Sequence, residues 1–353
     1  MRRQSLKAAV LMVAVEAVLT GVNVMLKLAA SDGMSLSVLV FYRFFFAALF
    51  ISPVAFLLER NKRPKLTWMV LLLAFLCGLV GGPLGQNLYF ESLVYTSATY
   101  VTAIFNLAPA FTFIIAVTLR VEELGLKTAA GRAKVLGTIL CIGGAMLLTF
   151  YHGPKFTLWK PPIHLLRRHT PPPHAAAAAQ SSNPLLGCVL AVLAVLLYSF
   201  MLILQAMAKK GYPCPYSFTA LMIGMGSIQC LGYGLYRERD WNQWKLGWNV
   251  RLLAATFTGI LGGGVVYGVS TWCVHARGPV YVAAFTPLWL LMMALAAFLF
   301  LDENIYLGTL LGAGLIIAGL YTILWGEDRK VKVGIGQSSQ QPIDSHPQNT
   351  TKV

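Results

Sequence analysis

The apolar layout of this 353-residue chain occurs twice, with residue n of the first half matching residue n+178 of the second. In that single ungapped register Leu26 meets Leu204, Gly33 meets Gly211, Gly81 meets Gly259, Gly85 meets Gly263, Tyr89 meets Tyr267, Ala98 meets Ala276 and Pro109 meets Pro287. Past Pro109 the register slips by a few residues, so that Leu136, Gly137 and Gly144 fall on Leu311, Gly312 and Gly319. Each copy contains five apolar segments, and an odd number forces the second copy to enter a bilayer upside down relative to the first. That is the inverted-repeat plan of secondary transporters.

Composition agrees with a membrane chain. Hydrophobic residues make up 57% and charged residues 12%, with a mean hydropathy of +0.66, far more apolar than a soluble domain. Spans are predicted at 8–29, 36–58, 67–85, 98–119, 133–151, 185–208, 215–236, 250–271, 279–301 and 305–325. Most reach the ~20 residues that cross the hydrocarbon core as a helix, in which every backbone group is satisfied internally. The expected fold is therefore all-α and polytopic, with ten transmembrane helices in two inverted five-helix repeats.

The formal net charge of +15 does not gather into one basic domain, so it gives no footprint for nucleic acid. With both termini cytoplasmic, Arg2, Arg3, Arg60, Lys62, Arg63, Lys65 and Arg329 lie inside, following the positive-inside bias, while Arg237, Arg239, Lys245 and Arg251 fall outside against it. The first span is too long for a signal peptide and matches the span at 185, so it is read as retained. Cys77, Cys141, Cys188, Cys230 and Cys273 lie in spans or near their ends and only Cys214 lies in a loop, so free thiols are expected.

Five divisions follow: a cytoplasmic N-terminus (1–7), a first repeat (8–151), a Pro-, His- and Ala-rich linker (152–183), a second repeat (184–326) and a disordered cytoplasmic tail (327–353). The linker's His152, His164, His169 and His174 are interrupted by prolines that deny them helical spacing, so no metal site is read there. Gly78, Gly81, Gly82 and Gly85 in the third span, and Gly259, Gly263, Gly264 and Gly268 in the eighth, form small-xxx-small pairs. Their clustering predicts that these two helices cross near the pseudo-twofold axis. Pro109 and Pro287, at equivalent positions, are read as paired kinks facing the pathway.

Polar residues inside apolar spans carry the functional signal, because a charge near the bilayer centre costs ~2.5 to 3.5 kcal/mol on insertion scales. Glu16, Thr20, Asn23 and Lys27 are spaced to share one face of the first helix. Their partners in the second half are Ala194, Tyr198, Met201 and Gln205, so the stripe is not a by-product of duplication. Glu16 is the candidate for picking up and releasing a proton. Lys27 is read as a solute contact, or as a cation reaching the interface. Thr99, Thr102 and Asn106 form a second stripe that ends at Pro109. Asn23, Lys27, Gln86, Asn106 and Gln205 are the polar contacts expected for a solute, and Tyr89, Tyr267 and Trp272 its aromatic walls or gates. Arg43 is read as structural, reaching the outer interface or pairing with Asp32 or Glu91.

No HExxH, GxSxG, Walker A or Cys/His zinc spacing occurs, so an enzyme, an ATP-driven pump and a cofactor-binding protein are not indicated.

Three stretches resemble a known family: Gly85-Gln-Asn-Leu-Tyr-Phe through Tyr95-Thr-Ser-Ala to Asn106-Leu-Ala-Pro-Ala-Phe-Thr-Phe and Arg120-Val-Glu; Trp272-Cys-Val through Arg277-Gly-Pro-Val-Tyr-Val-Ala-Ala-Phe-Thr-Pro-Leu; and Leu320-Tyr-Thr-Ile-Leu-Trp-Gly. They are similar to the EamA-type drug/metabolite transporters, within them to the plant nodulin-like branch of UMAMIT amino-acid facilitators and Walls-Are-Thin proteins. The resemblance implies ten helices, cytoplasmic termini, a plasma-membrane or vacuolar location, and bidirectional or proton-linked movement of small organic solutes. It also implies a cavity lined mainly by the first, third and fourth helices of each repeat. The expected function is secondary transport of amino acids or similar solutes by alternating access. Export of auxin or another aromatic acid is the alternative within transport, and a non-transporting membrane scaffold or receptor the alternative outside it. The partners are the solute, the lipid bilayer and protons, while the oligomeric state is not legible.

Overall fold

The computed structural model describes residues 2–122, 128–151, 154–156, 183–247, 250–300 and 305–338. Among these are ten helical segments long and apolar enough to cross a membrane: Leu6–Leu26, Leu36–Glu59, Trp68–Tyr95, Thr99–Thr118, Ala129–Phe150, Pro184–Gly211, Pro215–Arg237, Val250–Arg277, Pro279–Ala296 and Leu307–Gly326. They are numbered here as the first to tenth spans. Among the described residues the sheet is limited to one two-residue antiparallel pair, Lys155 with Tyr306 and Phe156 with Ile305. Residues 157–182, which hold most of the predicted linker and three of its four histidines, lie outside the described residues, as does His152. The helix of the tenth span runs on to Ser338, so residues 327–338 of the stretch expected to be disordered are helical; residues 339–353 lie outside the described residues.

The inversion of the two repeats can be read from four glycines in the fifth and tenth spans. A Cβ on Gly137 would meet the carbonyl oxygen of Gly319 at 2.6 Å, and one on Gly319 would meet that of Gly137 at 2.7 Å. Likewise Gly144 would meet the Gly312 carbonyl at 2.8 Å, and Gly312 that of Gly144 at 2.7 Å. The pairs run 137 to 319 and 144 to 312, so these two equivalent helices pack antiparallel. Because Gly137 corresponds to Gly312 and Gly144 to Gly319, the contact is its own image, as a twofold axis across the helices requires. Without side chains at the crossing, the two backbones come within touching distance.

That crossing corrects the expectation for the third and eighth spans. Gly78, Gly82, Gly259, Gly263 and Gly264 pack instead on the second span of the opposite repeat, while Gly81 faces Met201 of the sixth span. A Cβ on Gly78 would strike Met222 O at 2.7 Å and Gly226 N at 2.8 Å in the seventh span. In the equivalent arrangement, one on Gly259 would meet Arg43 O at 3.0 Å and one on Gly263 would strike the Cβ of Ala47 in the second. The two halves are thus interlocked rather than laid side by side.

Irregularities recur at equivalent positions. The third span turns π-helical over Val80–Leu84 and the eighth over Thr258–Val265, segments whose first residues are 178 apart. The third span also continues to Tyr95, past the predicted end at 85, which carries Gln86 and Asn87 inside it. The fourth span breaks into Ala98–Phe105 and Ala108–Thr118, the ninth into Pro279–Ala283 and Thr286–Phe300. Pro109 and Pro287 are the second residues of the helices that resume, where a missing N–H costs little. The expected paired kinks are therefore two-residue turns that interrupt the helices, at Asn106-Leu107 and Ala284-Phe285. One cross-repeat cap completes the frame: the Glu59 carboxylate accepts from the backbone N–H groups of Tyr216 (3.2 Å) and Ser217 (2.7 Å) at the start of the seventh span. Those N–H groups have no other capping side chain, since Cys214 at the N-cap makes no such bond.

Candidate functional site

Between the repeats lies a cavity of about 190 Å³, lined from the first, second, third, fourth, sixth, eighth and ninth spans. Both π-helical segments border it, contributing Val80 and Gly81 on one side and Gly262 on the other. A π-turn widens the helix and displaces side chains from the regular ladder, and such segments recur at functional sites.

The cavity has two polar poles. One is built on Arg43, which is 6% exposed despite its charge. Its Nη1 donates to Oε1 of Gln86 at 3.2 Å and its Nη2 to the carbonyl oxygen of Gly262 at 3.4 Å, while its Nε has no partner. Gln86 also shares a hydrogen bond with the Tyr267 hydroxyl. The other pole holds Glu16, 5% exposed, with Tyr198 close enough to feel its charge and itself hydrogen-bonded to Thr286. One turn beyond Thr286, Trp289 lines the cavity with an indole Nε1–H that has no partner. A Cβ on Gly262 would meet Val22 Cγ2 at 2.9 Å and Arg43 Nη2 at 3.4 Å, which sets Arg43 level with Val22 on the first helix. Glu16 is six residues deeper, about 9 Å along the axis at 1.5 Å per residue. Between the poles the wall is apolar, including Leu19, Met201 and Val266, and the T-shaped pair Tyr89–Phe105, whose ring centroids are 5.0 Å apart, stands at the Arg43 pole.

One end is sealed. Met12, Leu202 and Val282 are each no more than 2% exposed, and beneath them Ala116, Ile203 and Val280 pack with Phe113, Val121 and Met207. On the same side Lys134 and Glu122 form a buried ion pair at 3.1 Å. At the other end Asn23, Gln86, Tyr89 and Phe105 are only half-buried.

Of the residues singled out from sequence, Glu16, Asn23, Gln86, Tyr89 and Tyr267 line this cavity. Asn23 spends one amide donor on Leu19 O at 2.8 Å. Lys27 sits in the first helix, but its side chain lies outside the described residues. Three others are placed elsewhere. Asn106 is 1% exposed and terminates the helix Ala98–Phe105, so the break turns it into a cap and leaves Phe105 as the wall. Gln205 is fully buried, its Nε2 against Met222 Sδ at 3.6 Å and its backbone carbonyl oxygen 3.1 Å from Nε2 of His275. Trp272 packs on an apolar core shared by the first, sixth, eighth and ninth spans among others.

The reading of Arg43 is corrected. Asp32 pairs instead with Arg251 at 2.7 Å, and Glu91 with Arg237, both on the rim. Arg43 points inward because its own helix packs on the glycine face of the eighth span, which brings the Gly262 carbonyl to it. Tyr198, Thr286 and Trp289 were also missed; the repeat register, which set Tyr198 opposite Thr20 in the polar stripe, was the available signal for the first.

The comparisons with known proteins agree with this architecture. The model of the EamA-like transporter family matches residues 7–150 and again 185–325. The chain belongs to the EamA-like transporter family. A WAT1-related protein of Arabidopsis thaliana is 37% identical over 321 residues, covering 91% of this chain and 90% of its own. A second WAT1-related protein of the same plant is 36% identical over 328 residues, covering 93% and 91%. A solved crystal structure with 14% sequence identity superposes with a TM-score of 0.63 over 92% of this chain and 98% of that one, which shows the fold alone. As an EamA-like chain of the plant WAT1-related type it is a multi-pass membrane transporter rather than an enzyme, with two copies of the family unit in one polypeptide.

Proposed function

We propose that this EamA-like chain is a secondary transporter that moves amino acids or similarly small organic solutes by alternating access, with Glu16 carrying a coupled proton. The observation that supports it is the position of Glu16: a carboxylate 5% exposed, midway along a span, on the wall of a cavity between two inverted repeats, with no ion-pair partner among the described residues. Such a group is costly in a membrane protein unless it binds a proton, a cation or a solute. Helix breaks in equivalent positions of the two halves supply the flexible points that rocking of one repeat against the other needs.

A second reading, export of auxin or another aromatic acid, is favoured by the walls: Tyr89, Phe105, Tyr198, Tyr267 and Trp289 all face the cavity. The proposed setting is the plasma membrane, or alternatively the vacuolar membrane, with both termini cytoplasmic. Proteoliposomes loaded with labelled amino acids or labelled auxin separate the readings. Amino-acid flux that rises with an imposed proton gradient supports the first, and flux of auxin alone supports the second. If no solute crosses under any gradient, transport gives way to a scaffold or receptor role.

A further inference from the structure

We infer that Arg43 is the docking point for a carboxylate on the transported solute, so that this cavity selects small organic anions and zwitterions over neutral molecules of the same shape. The inference rests on the reading of the cavity as the transport site, and it names the chemistry of what binds there.

The guanidinium carries five N–H donors. Gln86 and Gly262 engage one each, and Nε has no partner. Both acceptors are neutral, so hydrogen bonds position the group without balancing its charge. Among the described residues no carboxylate forms an ion pair with it: Asp32 and Glu91 are held by Arg251 and Arg237 on the rim, and Glu16 lies about 9 Å deeper by helix rise. A buried charge without a counter-ion is costly to hold inside a membrane-spanning bundle. A purely structural role would be served by a neutral side chain of similar length. What a neutral side chain cannot do is accept a carboxylate in the planar, two-bond geometry that guanidinium offers.

The surroundings fit such a ligand. Gln86 holds the guanidinium on one side and the Tyr267 hydroxyl on the other, which limits the freedom of the arginine side chain. The Tyr89–Phe105 pair stands beside it as an apolar wall. Deeper in, the Trp289 side chain adds an aromatic face to the wall. A solute with a carboxylate at one end and an apolar or aromatic body fills this arrangement from Arg43 inward.

The test uses the full chain purified in detergent, with sodium phenylacetate and phenylacetamide as probes of matched shape and different charge. Phenylacetate is expected to raise the thermal unfolding midpoint in a concentration-dependent way, and phenylacetamide to leave it unmoved. Arg43→Gln should weaken phenylacetate binding by about tenfold or more, the loss of one charge-assisted contact. Arg43→Lys keeps the charge but not the fork, so it should bind more weakly than the parent while still preferring acid to amide. Equal shifts from acid and amide in the unmodified chain, stabilisation by chloride but not by phenylacetate, or unchanged phenylacetate affinity in a folded Arg43→Gln each overturn the inference. Proteoliposome flux separates it from the transport reading. Solutes that cross equally fast through Arg43→Gln remove the anion site and leave transport standing. Phenylacetate bound through Arg43 with no solute crossing removes transport and leaves the anion site.

Discussion

Nη1 of Arg43 donates to Oε1 of Gln86 across 3.2 Å, and this contact ties the second span to the third at the cavity wall. Gln86 in turn bonds Tyr267, which belongs to the other repeat. One amide therefore positions an arginine and a tyrosine from opposite halves. Gln86→Leu leaves two polar groups short of a partner, at a cost of ~1 to 3 kcal/mol if water does not replace it. The expected outcome is a folded protein with a lower unfolding midpoint and a higher solute concentration at half-maximal uptake. A midpoint and uptake curve matching the parent would show that the amide has no positioning role.

Glu16 gives the second prediction. Glu16→Gln keeps the shape of the side chain but removes its proton equilibrium. Uptake by this variant should persist as exchange down a solute gradient and lose its acceleration by an imposed proton gradient. Retention of the parent's full pH dependence in reconstituted vesicles would assign proton coupling to another group.

The fifth and tenth spans give a third, with an internal control. At Gly144 and Gly319 a methyl group would sit 2.7 to 2.9 Å from backbone atoms of the facing helix, whereas at Gly143 and Gly314 it meets nothing within 4 Å. Gly144→Ala and Gly319→Ala should each destabilise by ~1 to 3 kcal/mol through overpacking, while Gly143→Ala and Gly314→Ala should be neutral or slightly stabilising. Thermal unfolding of the four variants decides it, and equal midpoints would place the twofold contact elsewhere.

Much of this fold was legible in the sequence, because hydropathy and an ungapped repeat are properties of the chain itself. Ten spans, the inversion and the depth of Glu16 follow from the spacing of apolar and polar residues. The direction in which a helix faces its neighbours is decided by packing, and there the sequence was less informative. Arg43 lies only eight residues into its span, where an arginine that reaches water and one that lines a cavity look alike. Gly78 and Gly82 of the third span looked like a contact with the eighth; they meet the seventh, because the repeats interlock. Asn106 continues the helix that carries Thr102, its N–H bonded to Thr102 O at 3.1 Å, but neither of them lines the cavity, whose wall takes the neighbouring Phe105 instead. The π-helical segments have no period of their own in the sequence, and Pro83 marks only the first.

Glu59 supplies the fourth prediction. Its carboxylate holds the N–H groups of Tyr216 and Ser217, so it joins the end of the second span to the start of the seventh. Glu59→Ala should cost ~1 to 2 kcal/mol, the range for a lost helix cap, and Glu59→Gln less, since one oxygen remains. Comparable losses for both variants in thermal unfolding would mean that the charge matters more than the cap.

Cys214, in the short connection between the sixth and seventh spans, gives a fifth. Burial, reinforced by the Glu59 carboxylate and opposed by Arg63 and Lys62, pushes its thiol above the ordinary range, and its Sγ lies 3.2 Å from Lys62 O. A raised value means less thiolate at a given pH. Maleimide labelling at this site should therefore be slow at neutral pH and keep rising through the pH range, about 8.5, at which an ordinary thiol levels off. Labelling that plateaus at or below that range would place the thiol in water.

The most direct test of the cavity as the solute path is to block it. Ser270 lines it, half-buried, so Ser270→Cys gives a thiol on its wall. In proteoliposomes a charged methanethiosulfonate reagent should reach that thiol from either side of the membrane as the repeats rock, and solute flux should fall to background after modification, with the unsubstituted chain unaffected. Flux that continues unchanged through the fully modified protein would contradict a path between the inverted repeats.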